Sequence, residues 1–173
     1  ADDFLAIAPG IRALPIVHGS GDFAIRAREE LLSRPYDCLA VPLPDAFQED
    51  VEAAVERLPA ISAVVRRDAG EDGEGFSYVP IDPCQGVIAA IRTAIGERIP
   101  RAFIDLDAPR FEAAAAVAAD PYALKRVSPG RFAAALLPAI PRPAEGFPAA
   151  RVAHMAARLR ELQRRRKLTL LVC

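Results

Sequence analysis

The sequence predicts an α/β domain of three layers, with a mostly parallel sheet of five or six strands and helices on both faces. Three observations predict it. Short apolar runs alternate with stretches of helical period along most of the chain. The short runs are almost wholly apolar, as in strands covered on both faces, rather than alternating apolar and polar. The chain has 173 residues, 52% of them hydrophobic, enough for one domain with a core of its own.

Each element follows from its own signals. Ile11–His18 reads as the first strand, with Pro15 marking a weak point in it. Gly19-Ser20-Gly21 is a turn. Asp22–Ser33 is a helix with Phe23, Ala27 and Leu31 four residues apart. Asp37–Leu43 is the second strand. Asp45 with Gln48 three residues on has the form of a capping box, followed by Phe47, Val51, Ala54, Val55 and Leu58 on one helical face. Ile61–Arg67 and Ser77–Ile81 are strands on either side of the polar loop Asp68–Gly75. Asp82-Pro83-Cys84-Gln85 repeats the helix-start signal, and Val87, Ile88, Ile91 and Ile95 form the stripe behind it. Pro100–Leu106 is the next strand.

The proline-rich stretch 107–148 reads as a helical insert. Short helices are expected around Phe111–Ala119, Pro121–Arg126 and Gly130–Ala139. The insert would lie over the active edge of the sheet as a lid. Ala149–Lys167 is a long helix with Val152, Met155, Ala156, Leu159 and Leu162 on its buried face, leading into a terminal strand ending at Cys173. That ending, at the edge where α/β folds place their chemistry, predicts that residues 1–173 are one domain of a longer parent chain, whose remainder is an expected partner.

Composition narrows the function classes. High apolar content and a net charge of -1 exclude a disordered chain and argue against a dedicated nucleic-acid binder. Three cysteines do not make a disulfide scaffold, and without Asn there is no N-glycosylation acceptor. No apolar run approaches a membrane span and the first residues do not resemble a signal peptide, so no membrane contact and a cytoplasmic location are expected. With 20 Arg against 2 Lys, single arginines carry little functional weight.

Right-handed crossovers bring every strand-to-helix turn to one edge of the sheet, where the candidate residues fall. His18 ends the first strand and suits a metal ligand or general base. Gly19, Ser20 and Gly21, with Ala24 three residues on, fit a phosphate-binding turn. The acidic residue that a dinucleotide fingerprint requires is replaced by Pro42-Leu43-Pro44, so nucleotide binding is the weaker alternative. Asp105 and Asp107, two apart, are expected to point the same way and to hold a hard cation or divide acid and base roles. Arg151, His154 and Arg158 share one side of the last helix as a candidate anion strip, and Cys84 is a candidate nucleophile beside His18. Each also has a structural reading, as cap, turn or solvated face.

Three segments resemble the TraB/ChaN superfamily, which includes erythromycin-esterase-like and Tiki-like proteins. They are the strand ending in His18-Gly19 with the following Asp37–Val41 strand, the helix and strand from Val87 to Leu106 ending in Asp105, and Arg151-Val152-Ala153-His154-Met155 on the last helix. The family's glutamate position is occupied here by Pro42-Leu43-Pro44, and its Gly-x-x-His turn would begin just after Cys173. The resemblance implies a hydrolase-type domain of bacterial origin. His18 and Asp105 would hold a divalent metal or activate water, and Arg151 would pair with a carboxylate or phosphate of a small-molecule ligand. The rival expectation is a non-catalytic interaction domain of a larger multidomain protein.

Overall fold

The computed structural model describes residues 5–67, 75–107, 120–140 and 142–173. The chain is α/β, with a mixed five-stranded sheet and a separate two-stranded one. In order come β1 (Ala6–Ala8), β2 (Ile11–Leu14), α1 (Gly21–Ser33), β3 (Cys38–Pro44), α2 (Gln48–Glu56), β4 (Ser62–Arg67), β5 (Phe76–Ile81), α3 (Gly86–Gly96), β6 (Arg101–Asp105), α4 (Pro129–Leu136), α5 (Gly146–Arg165) and β7 (Thr169–Val172). The larger sheet has the order β1-β2-β7-β3-β6. β2, β7, β3 and β6 run parallel, and β1 lies antiparallel on the edge.

The period-two alternation of the strands sorts two cores. Leu14, Leu39, Val41, Phe103 and Leu170 pack with Ala27 and Leu31 of α1 and Ile88 and Ile91 of α3. Ile11, Ala40, Ile104 and Leu171 pack instead with Leu159 of α5, flanked by Met155 and Leu162. α1 and α3 therefore pack against one face of the sheet and α5 against the other.

Several local expectations change. The first strand ends at Leu14, because Pro15 has no N–H to donate, although Ile16 N still donates to the Cys173 carbonyl at 2.6 Å. Asp45 caps no helix: 45–47 is a 3-10 turn, and the Gln48 amide donates to Glu52 and to the Arg101 carbonyl. β4 and β5 do not join the main sheet but form an antiparallel hairpin of their own, with Val64 and Val79 facing the core. Val152, expected in the buried stripe of the last helix, is 50% exposed. Of the insert's expected helices, Phe111–Ala119 lies outside the described residues. Pro121–Lys125 is a 3-10 helix, and α4 covers the third together with a short 3-10 turn, Leu137–Ala139.

Arg101 fastens the start of β6 to α2 through a two-point bond to Glu52, at 2.9 and 2.7 Å. The hydrogen bond from Arg101 outweighs burial and holds the Glu52 carboxyl below its ordinary value of 4.5. Because the folded value is depressed, this stabilisation is present above the unfolded carboxyl's titration and is lost as pH falls through the folded one. Glu52→Gln is expected to lower stability at pH 7 by about 1 kcal/mol. It should also flatten the acid limb of a plot of urea midpoint against pH.

Candidate functional site

The β2–α1 turn and the start of α3 meet at the carboxyl edge of the sheet. Gly19 adopts φ +74°, a left-handed conformation that costs glycine little. The turn it makes aims its N–H at the Gln85 Oε1, 2.9 Å away. Gln85 thus spends its side chain on a residue 66 positions earlier rather than on its own helix, of which it is the N-cap. Asp82 closes the turn before it, accepting from Cys84 N at 2.7 Å. Gly86 lets the two segments approach, since a Cβ there would stand 3.2 Å from the Ile16 side chain.

This contact sets two helix starts side by side, and α1 and α3 pack together along their lengths. Neither N-cap has a side-chain capping bond. Among the described residues the amides of Gly21, Asp22, Gly86, Val87 and Ile88 meet no acceptor. Open N–H groups at a helix start, with the positive end of the macrodipole behind them, favour an anion. Ser20, the N-cap of α1, is only 9% exposed, and its hydroxyl makes no capping bond to the helix it begins. His18 is exposed one residue before Gly19, and Cys84 is exposed one residue before Gln85.

The other predicted residues are placed differently. Asp105, with its side chain 3% exposed, accepts from Arg151 Nε at 3.1 Å, from Arg151 Nη2, and from Leu106 N at 2.8 Å. Bonding to Asp105 raises the Arg151 pKa against the opposing effect of burial. Asp107 is exposed, so the two aspartates do not share an environment: the strand ends at Asp105, and the alternation expected of an extended segment ends with it. Arg158 pairs with Glu161 at 2.7 Å, so the expected anion strip on α5 is divided among separate carboxylates.

His18 and Asp105 are not brought together. His18 follows β2, which ends at Leu14, and Asp105 ends β6; β7 and β3 lie between these two strands, whose axes are three interstrand spacings or about 14 Å apart. Among the described residues no three His, Cys, Asp or Glu side chains converge as a metal cluster. A divalent metal shared by His18 and Asp105 therefore does not fit, the more so because Arg151 engages both Asp105 oxygens.

The insert reaches this same edge. Phe132 of α4 packs edge-on against Phe23 of α1, with centroids 5.3 Å apart, and Ile16 and Val17 of the turn join that cluster. No family model matches the chain, and no curated protein or solved structure matches it either. Among the described residues no helix is long and apolar enough to cross a membrane.

The thiols differ in environment. Burial raises the Cys38 pKa, whereas Cys84 is exposed at the helix start. Iodoacetate is expected to modify Cys84 in the native protein and Cys38 only after unfolding, as peptide mapping by mass spectrometry would show.

Proposed function

We propose that the chain is a ligand-binding α/β domain of hydrolase type, resembling the TraB/ChaN group, with three layers and its site at the paired starts of α1 and α3. The ligand presents a phosphate or carboxylate there. The observation that carries this reading is the side-by-side starts of two helices, joined by the Gly19–Gln85 bond and without side-chain capping bonds at Ser20 and Gln85. Backbone N–H groups and Ser20 bind and orient the anion, and the exposed imidazole of His18 is the group suited to proton transfer. The insert, anchored through Phe132, borders the site as a lid.

Titration calorimetry with inorganic phosphate tests the reading. Binding in the millimolar range or tighter, weakened about tenfold or more in Ser20→Ala, is the expected result. No heat of binding at all, or the same affinity in Ser20→Ala, would remove it.

A second reading is favoured by one surface. The outer face of the β4–β5 hairpin carries Val65, Phe76 and Tyr78, at 58%, 61% and 68% exposure, in neighbouring register positions. Such a patch is the mark of an interaction domain within a larger protein. Slower amide exchange of 62–67 and 76–81 in a longer parent chain than in the domain alone would support it, and equal exchange would oppose it.

A further inference from the structure

The charges of this protein are sorted along the direction of its strands. Asp45 and Asp107, just past β3 and β6, and Asp82, just before α3, stand at the carboxyl edge of the sheet. α5 runs back against the strands, so its last turns and the segment into β7 lie at the opposite, amino edge. There Arg160, Arg164, Arg165, Arg166 and Lys167 are all exposed, and none forms an ion pair among the described residues. The only acid between residues 158 and 167 is Glu161, which Arg158 engages at 2.7 Å. Arg34, 45% exposed, reaches the same edge beside Leu168. Asp37 is spent on building the turn, accepting from Lys167 N at 2.8 Å and from Leu168 N at 3.0 Å.

A helix macrodipole draws cations to its last turn, which accounts in part for Arg164 and Arg165. It accounts neither for Arg160, one turn earlier, nor for Arg166 and Lys167 beyond the helix. Like charges this close repel one another and gain from a polyanion, whose condensed counterions they displace. From Arg160 to Arg165 the helix rises about 8 Å, and two extended residues add about 6 Å more. That length matches about four phosphates of one strand, at about 3.4 Å each. Residues 157–168 expose no large apolar or aromatic side chain, so this surface has nothing to stack on a splayed base or to enter a bilayer. We infer that the amino edge binds the phosphate backbone of a nucleic-acid duplex, with the arginines as bidentate phosphate partners. The whole-chain charge of -1, which argues against such a binder, is the sum of two ends of opposite sign. The surface lies across the sheet from the starts of α1 and α3 and is independent of the ligand proposed there.

The probes are fluorescent DNA and RNA duplexes of about 20 base pairs, read by anisotropy. Binding of either with a Kd below about 100 μM in about 50 mM salt is expected, and the tighter of the two marks the source of the phosphates. The logarithm of the affinity should fall with the logarithm of salt concentration at a slope of about −3 to −4. Arg164→Gln with Arg165→Gln should weaken binding about tenfold or more and reduce that slope by about two. Arg92→Gln, at an exposed position on α3, should change neither, with circular dichroism confirming the fold of both variants. No binding, binding without salt dependence, or equal affinity in the double variant and the parent would overturn the inference. Vesicles of phosphatidylserine and phosphatidylcholine bound more tightly than either duplex would overturn it in favour of a membrane. Poly-L-glutamate displacing the duplex as well as unlabelled duplex does would overturn it in favour of an acidic polypeptide.

Discussion

Asp105→Asn is expected to lower the stability of the protein by about 2–3 kcal/mol and to leave its affinity for phosphate within twofold. The carboxylate is almost fully buried and holds Arg151 at two points. Asparagine keeps the bond to Leu106 N but supplies no charge for the half-buried guanidinium, whose partial exposure moderates the loss. The double variant Asp105→Asn with Arg151→Met should recover part of the stability, because removing both charges of a largely buried pair costs less than removing the carboxylate alone. Urea denaturation of the parent protein, of Asp105→Asn, of Arg151→Met and of the double variant gives the coupling directly. Loss of phosphate binding in Asp105→Asn, with the fold intact, would return Asp105 to the site and contradict its placement as a clamp between β6 and α5.

Phe132→Ala is expected to have the larger effect on stability, about 3–4 kcal/mol, and to weaken phosphate binding as well. Phe132 is 3% exposed, and its partner Phe23 is fully buried in the first turn of α1. Truncation leaves a cavity shared by the insert and the turn that carries Ser20, and Ile16 and Val17 lose packing with it. The two variants therefore separate two kinds of stabilising contact. Asp105 fastens the sheet away from the ligand, and Phe132 fastens the ligand turn. Equal phosphate affinity in Phe132→Ala and the parent protein would show that the insert does not support the turn.

The elements that rest on local pattern were legible in the sequence. Phe23, Ala27 and Leu31 predict α1, the apolar run through Val41 predicts β3, and all are buried as expected. The Gly19–Gly21 turn was recognisable as a candidate anion site from its glycines and its place between strand and helix. What stayed hidden depends on distant pairing. Gln85 looks like the third residue of a capping box, and nothing near it in sequence indicates that its amide serves Gly19. Arg151 and Asp105 are 46 residues apart, so their pairing has no local signature beyond the two residue types. β4 and β5 read as ordinary strands, and only their burial in the fold, limited to Val64, Val79 and Ile81, reflects their separate state. The strand order escaped for the same reason. A period-two pattern says that a strand is buried and not which neighbours it has.

The place of β7 also bears on how the chain reaches its folded state. Thr169–Val172 is the last strand in sequence, yet it lies between β2 and β3 and hydrogen-bonds to both. Until it arrives, β2 has only the short β1 beside it and β3 has only β6. The middle of the sheet must be closed by contacts spanning more than 120 residues, and such long loops are slow to close. During synthesis, two half-sheets with apolar edges would wait for Thr169–Val172 to join them. In that interval, rather than in the finished fold, the apolar edges of β2 and β3 are open to pairing with other chains.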